Sequence, residues 1–408
     1  MKLLPAYDSP TLASRLVMAA GDLLSHALVP LRPPPLLPLR KEQTERLLLL
    51  RLDGIGDNVC SWPALKLLRE HLPESRISLA VGPWAAPLYR ECPWVDEVIE
   101  WDSGLFGLFR GRGVAGLSHD LKISKALRER GFSAGIDLRG DLLSIVLLRL
   151  VAPPIRVATV TRGGRRLLTD PLRIDDGHET RRTADIASTA LGLPTGQECP
   201  LQDWPRPEAL KRAKEQLLRI GWDESLPTAA LCPLALWPWK QWPKDRFREL
   251  ALRLKRDLGL QVIWFLENRE QAREQCHGDP FFCGPLDQVA AALSLCTLAV
   301  ANDSGLMHLA VAAGCNTVQL FGPGDASRFA HRTAETACLH DKSCQYNPCT
   351  RSGDCKNLSE GWCLEKISVE VVYATCLKLL GARSGHRQNA SGETSGGPAT
   401  GSREPGKI

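Results

Sequence analysis

The 408-residue chain predicts an α/β fold: two halves, each a parallel sheet covered by helices on both faces, looking at one another across a cleft. Short continuous apolar runs are the first observation. RLLLLRL, RISLAV, FSAGIDL and IRVATV in the first half, and TAALC, QVIWFL, TLAVA and NTVQLFG in the second, read as strands buried on both faces. The second is that segments with helical spacing of leucines separate these runs. The third is a break near residues 195–205, where the Pro- and charge-rich GQECPLQDWPRPEALKR interrupts the alternation before it starts again.

Residues 1–45 form a leader without a cleavable signal pattern. Its apolar stretch from Thr11 to Val29 carries Arg15, Asp22 and His26, too polar to span a bilayer. The pattern fits an amphipathic helix on a membrane surface or a helix packed on the domain. The leader ends in LVPLRPPPLLPLR, a stiff extended linker by composition. The first domain, 46–200, continues through SWPALKLLREHLP, with Pro63 in a helix's first turn, the helix DLLSIVLLRLV, and a helix from Glu179 to Leu191. In the second domain, 201–365, DRFRELALRLKRDLG aligns Phe247, Leu250, Ala251, Leu254 and Leu258 on one helix face, and Gly259 stops it. A helix over 366–380 closes the fold, and the Gly/Ser-rich 381–408 predicts a disordered tail.

A net charge of +5 does not argue for nucleic acid. Its distribution is uneven: between Leu105 and Arg173 stand 13 Lys/Arg against 5 Asp/Glu, which suits an anionic partner. Of the 14 cysteines, eight lie singly up to Cys315 among apolar neighbours, where Cys packs as a small hydrophobe. Cys344, Cys349, Cys355 and Cys363 lack the paired spacing of structural zinc sites; buried or reduced thiols are the default reading and a metal or cluster site the alternative, so no metal ligand is assigned.

Two segments carry the chemistry. In TLAVANDSGLMHLAVAAG a buried strand stops at Asn302, Asp303 or Ser304 is placed to cap the helix that follows, and Gly314 ends it. A helix N-terminus at a strand's carboxyl end offers free N–H groups and a positive dipole end to a phosphate, and Gly305 keeps side chains out of the way. In RLDGIGDNV, Arg51 ends a strand, Gly54 and Gly56 form a tight loop, and Asp57 is set for general-base work or for capping alone. The third glycine of a dinucleotide fingerprint is missing, which excludes that reading. Lys240, among Trp237, Trp239 and Trp242, suits phosphate; Glu267, at the end of VIWFLE, suits ribose hydroxyls.

Taken together, RLDGIGDNVCSWPALKLLRE, AGIDLRGDLLS, HETRR, WPWKQWPKDRF, FLENREQ and NDSGLMHLAVAAGCNTVQLFGPGD resemble glycosyltransferase family 9, the bacterial heptosyltransferases of lipopolysaccharide core synthesis, over roughly residues 46–380. The resemblance implies a GT-B fold of two Rossmann-like domains and inverting, metal-independent transfer from ADP-heptose to an anionic lipid-linked acceptor. It implies a cytoplasmic enzyme, working at the inner face of the cytoplasmic membrane, with no cofactor. It assigns Asp57 as base, Lys240 to the diphosphate, Glu267 to the ribose, and Asp303, Ser304, Gly305, Leu306, Met307 and His308 to the donor. Arg51, Gly56, His178 and Arg182 fall to the acceptor side. Asp53-Gly54 stands where the family has small hydroxylated residues, so acceptor contacts there differ. The metal-free reading agrees with the absence of any D-x-D pair. Another nucleotide sugar, another cell-envelope acceptor or a non-catalytic nucleotide-binding scaffold are the alternatives the same fold allows.

Overall fold

The computed structural model describes residues 36–104, 113–160, 163–175, 177–197, 199–204, 206–276, 278–349 and 363–390. The expected amphipathic segment at 11–29, Cys355 of the cysteine group, and the tail beyond 390 lie outside the described residues.

In the first half, β1 (Arg46–Arg51) leads into α1 (Ile55–Val59) and α2 (Trp62–His71), then β2 (Arg76–Val81) and β3 (Glu97–Glu100). There follow α3 (Gly113–Arg128), β4 (Ala134–Asp137), α4 (Leu142–Val151), β5 (Ile155–Thr159), β6 (Asp170–Leu172) and α5 (Glu179–Leu191). The second half runs α6 (Pro207–Arg219), β7 (Thr228–Cys232), α7 (Lys244–Leu258), β8 (Gln261–Phe265), α8 (Arg269–Gln275), β9 (Phe281–Phe282) and α9 (Leu286–Leu293). It ends with β10 (Leu298–Asn302), α10 (Gly305–Ala312), β11 (Asn316–Phe321), α11 (Ala326–Phe329), β12 (Thr336–His340) and α12 (Val369–Ala390).

The two sheets are parallel and six-stranded, in the orders β3-β2-β1-β4-β5-β6 and β12-β11-β10-β7-β8-β9. This is the two-domain GT-B arrangement. The strands missing from the sequence reading, β3, β6, β9 and β12, are short or only half buried, and carry little apolar signal. The closing helix begins at Val369 and continues to Ala390, ten residues past its expected end at 380. Residues assigned to the leader also belong to the fold: the Leu36 and Leu37 amides donate to Asp170 Oδ1 at 2.8 and 3.2 Å, and the Leu39 amide donates to the Ala190 carbonyl.

Alternation along β1 shows how the layers form. Leu47 and Leu49 face a layer shared with Trp62, Leu65 and Ile186, whereas Leu48 and Leu50 face Trp101, Ile145 and Leu148. The first of these layers continues into the second domain through Trp204, Leu217, Phe282 and Met307, so the domains share apolar packing. At that junction Trp204 lies edge-on to Trp62 and Trp94, at centroid distances of 4.7 and 4.9 Å. The Arg206 guanidinium covers Trp204 at 3.7 Å and donates to the Leu88 carbonyl. A third layer lies between the second sheet, α7 and α12. Phe247, Leu250, Ala251 and Leu254 are buried there, as their spacing predicts, and Gly259 ends α7 at φ 62°.

Trp242 fastens this last layer: it is 1 % exposed, meets Phe247 edge-to-face at 4.9 Å, and donates from Nε1 to the Ile367 carbonyl at 2.8 Å. Trp242→Ala is expected to lower unfolding stability by about 3–5 kcal/mol, read as a shifted urea midpoint.

Candidate active site between the domains

In each sheet the strand order reverses beside the first strand, between β1 and β4 and between β7 and β10. Ligands of open α/β sheets bind beyond the carboxyl ends at such points. The loops found there are those the sequence singled out: residues 52–57 after β1, the 3-10 turn Pro238–Lys240 after β7, and Asn302–Ser304 after β10.

On the second-domain side, Asn302 is wholly buried. Its Nδ2 donates to the Pro233 carbonyl at 2.6 Å and its Oδ1 accepts from the Trp242 amide at 3.0 Å, tying the tips of β7 and β10 together. Lys240 Nζ then donates to Asp303 Oδ2 at 2.6 Å, with the two side chains 22 % and 7 % exposed. Gly324, in the FGPGD loop, is pressed against this pair: a Cβ there would stand 1.9 Å from Asp303 Oδ2. With Asp303 tied to Lys240, the cap of α10 is Ser304 by backbone only. Its side chain makes no capping bond, and its buried Oγ has no hydrogen-bond partner among the described residues. The first-turn N–H groups of α10 therefore have no side-chain cap, the condition in which a helix start receives an anion. Met307 is fully buried and Leu306 half-buried, so only their backbone is available to a ligand. Glu267 stands exposed beyond β8; among the described residues its carboxylate accepts a long contact from Gln271 Nε2 at 3.4 Å.

On the first-domain side the structure corrects the sequence reading. Arg51 and Arg182, expected at the acceptor, are 0 % and 3 % exposed. They serve a buried carboxylate, Glu179, at the start of α5. Arg51 Nη2 donates to Glu179 Oε1 at 2.7 Å; Arg182 donates from Nη2 to Oε1 at 2.7 Å and from Nε to Oε2 at 3.0 Å. A third guanidinium, Arg328 of α11, crosses from the second domain and donates to Oε2 at 2.9 and 3.2 Å. Burial opposes the charge of Glu179, but Arg182, Arg51 and Arg328 outweigh it and hold its pKa well below the usual range. Neither Glu179 nor Arg328 was assigned from the sequence, although the carboxylate between His178 and Arg182 in HETRR was the visible sign of Glu179.

Arg51 also positions the Asp57 loop. Its Nε and Nη2 donate to the Asp57 carbonyl at 3.0 and 2.8 Å, its Nη2 lies 3.8 Å from Asp57 Oδ1, and its Nη1 donates to the Leu138 carbonyl beyond β4. The Asp57 carboxylate accepts from the Gly54 amide at 3.2 Å and remains 32 % exposed. Asp53 Oδ1 is 3.3 Å from Arg51 Nε, at ion-pair distance but without hydrogen-bond geometry; burial pushes its pKa up to about 6, with Arg51 opposing and Asp57 adding.

The two loops touch. A Cβ on Gly305 would lie 2.6 Å from Ile55 Cγ2, and one on Gly56 would lie 2.6 Å from His308 Cδ2. Both glycines are therefore used for close approach of the domains: the side of Gly305 expected to admit phosphate is filled by Ile55, and Gly56 faces His308 rather than an acceptor. His308, 3 % exposed, has Nδ1 at 2.7 Å from His331 Nε2 and 3.5 Å from Cys60 Sγ; the His178 ring lies 5.0 Å from that of His331. Burial, then the neighbouring imidazoles His331 and His178, holds His308 well below its usual pKa; it is a neutral contact residue here, not a cation for the diphosphate. Burial, followed by His178, lowers His331 to about 3. Of the first domain's basic residues, Arg128, Arg130 and Arg156 are hydrogen-bonded within that domain.

A histidine lowered to about 3 in the fold titrates near 6.5 when unfolded. Its contribution to stability is thus present above pH 6.5 and is lost as pH falls from there towards 3. His331→Asn should flatten the pH dependence of unfolding free energy between pH 6 and 4.5 by about 1.4 kcal/mol per pH unit, one proton's worth. Urea titrations of both proteins across that range check it.

The profile of the family described as glycosyltransferase family 9 (heptosyltransferase) matches residues 121–357, more than half of the chain. The chain is 27% identical over 303 residues to lipopolysaccharide heptosyltransferase 2 of Escherichia coli K12, covering 68% of this chain and 83% of that protein. It is 27% identical over 305 residues to lipopolysaccharide heptosyltransferase 1 of Pseudomonas aeruginosa, covering 68% and 79%. Its fold superposes on the crystal structure of a family 9 glycosyl transferase from Veillonella parvula with a TM-score of 0.71, at 22% identity over 84% of this chain and 98% of the other. The E. coli ADP-heptose lps heptosyltransferase II structure gives 0.66, at 21% identity over 83% and 99%. The chain belongs to glycosyltransferase family 9 and is a glycosyltransferase of the heptosyltransferase type.

Proposed function

We propose that the enzyme transfers heptose from ADP-heptose to an anionic, lipid-linked inner-core saccharide, with inversion and without a metal ion, at the cytoplasmic face of the membrane. The observation that carries this is the meeting of two switch-point loops: the half-buried carboxylate of Asp57 on one side, and Lys240 with the uncapped start of α10 on the other. The names of the relatives support heptose and the lipopolysaccharide core as donor sugar and destination. One solved neighbour of 18% identity, E. coli heptosyltransferase WaaC, is described with ADP-2-deoxy-2-fluoro heptose. Among the described residues no helix is long and apolar enough to cross a membrane.

In this reading Asp57 takes the proton of the acceptor hydroxyl as its oxygen bonds to the anomeric carbon. The bond from that carbon to the ADP phosphate breaks in the same displacement, which inverts the centre. Charge developing on the leaving diphosphate is met by Lys240 and the first-turn amides of α10. Asp303 keeps Lys240 in place while leaving it two further N–H donors. Glu267, exposed at the tip of β8, is free to accept from ribose hydroxyls. His178 borders the same contact, and Arg51 acts on the acceptor side from beneath, by holding the loop that carries Asp57, while Arg182 braces Glu179, the partner of Arg51, and the Leu138 carbonyl. The absence of a D-x-D pair supports the metal-free route.

Calorimetry with ADP, UDP, GDP and CDP, with and without EDTA, tests the donor. ADP should bind selectively and survive EDTA, and Lys240→Met should weaken it about 10–100-fold, the loss of one charge-assisted contact of about 1.5–3 kcal/mol. Preference for UDP or GDP would sink the ADP-heptose assignment and keep the transferase. Asp57→Asn should lower kcat by about 10²–10⁴-fold with ADP affinity unchanged; an unaltered kcat would remove Asp57 from the role of base.

A further inference from the structure

We propose that Glu179 is a positioning residue that couples docking of the second domain to the setting of Asp57, an inference that rests on Asp57 as the base. Three guanidiniums converge on one carboxylate that is 1 % exposed, and they come from three elements. Arg51 ends β1 and Arg182 lies on α5, both in the first domain, whereas Arg328 lies on α11 in the second. Charges balance locally: Arg51, Arg182 and Arg328 against Glu179, Asp53 and Asp57. The division of contacts gives the coupling its direction. Arg182 grips both oxygens, Oε2 from Nε and Oε1 from Nη2, Arg328 adds two contacts to Oε2, and Oε1 also accepts from Arg51 at 2.7 Å. Arg51, so held, grips the Asp57 carbonyl with two N–H groups.

That grip matters because α1 is only five residues long and has few bonds of its own. Besides Arg51, the Asp57 carbonyl receives the Ser61 hydroxyl at 2.9 Å. Arg328 is also joined to the donor side. It follows directly on the FGPGD loop, whose Gly324 is pressed against the Asp303–Lys240 pair. A path of contacts thus runs from the anion-holding loop through Arg328, Glu179 and Arg51 to Asp57. Withdrawal of the second domain removes both Arg328 contacts to Oε2, leaving that oxygen with Arg182 alone and the carboxylate less firmly set against Arg51. The base would be held in its working orientation only while the domains are docked, which protects the activated donor from reaction before closure.

Arg328→Gln is the first variant, because Arg328 is 18 % exposed and its loss leaves Glu179 with two partners. Its kcat with ADP-heptose and a heptose-truncated lipopolysaccharide acceptor should fall about 10–100-fold, the effect of a slightly misplaced catalytic group. Its ADP affinity should stay within about threefold of the parent protein, since no donor contact is removed, and Arg328→Lys should restore part of the rate. Glu179→Gln should lose at least as much. Hydrogen exchange supplies a readout that needs no substrate: amides of residues 54–60 should exchange about fivefold faster in Arg328→Gln, with α7 unchanged. Parental turnover together with parental protection at 54–60 would overturn the coupling. If the parent protein itself transfers no heptose, the substrate reading falls, and the exchange result still decides whether Arg328 sets the Asp57 loop.

Discussion

A carboxylate sealed from water between two domains has to be neutralised, and Glu179 is neutralised by guanidiniums that no single element could supply. Stripping a charge of its water costs several kcal/mol, returned only when donors surround it closely. Here they arrive from the end of β1, from the first turn of α5 and from α11 across the contact. The tip of the first sheet, α5 and the second domain are therefore fixed relative to one another by a single requirement. Arg51 extends that requirement to the Asp57 loop and to the Leu138 carbonyl beyond β4, so both strands flanking the first switch point are included.

The close approach of the loops follows from residue size. Gly56 and Gly305 each stand where a methyl group would strike the opposite domain, His308 in one case and Ile55 in the other. Removing two side chains lets the start of α10 lie on α1. That brings the uncapped amides of one helix to the carboxylate-bearing turn of the other, with no long side chains bridging the gap. Ser304, whose buried Oγ has no hydrogen-bond partner among the described residues, and Lys240, braced by Asp303, stand at the same edge.

Much of this was legible in the chain, and what was not has a physical reason. Continuous apolar runs such as RLLLLR and NTVQLF announce strands covered on both sides, and both proved wholly or nearly wholly buried. Helices with one apolar face, such as α7, were equally plain. Strands like EVIE, half-buried at an edge, carry no such signal. Lys240, Asp303 and Asp57 were recognisable because loops after strands collect at one edge of a parallel sheet. What periodicity cannot convey is the partner of a buried charge. Arg51 and Arg182 were assigned to the acceptor side by resemblance alone, and resemblance does not show that both pair with the buried Glu179. Arg328 was invisible for the same reason, since its partner lies 149 positions away.

The contact between the domains is chemically divided, and that division bears on how it works. At the chain crossover Trp62, Trp94 and Trp204 form an apolar, edge-packed cluster roofed by Arg206. Such packing is non-directional and tolerates small rotations without losing its area. At the other side the contact is made of imidazoles, a thiol and ion pairs, whose energies depend steeply on distance and angle. Opening by a few ångströms would leave the tryptophan cluster almost intact while breaking Arg328–Glu179 and His308–Gly56 outright. The apolar cluster is thus the part of the contact that would survive a small rotation, whereas Arg328–Glu179 and His308–Gly56 depend on close docking of the loops that carry Asp57 and the start of α10.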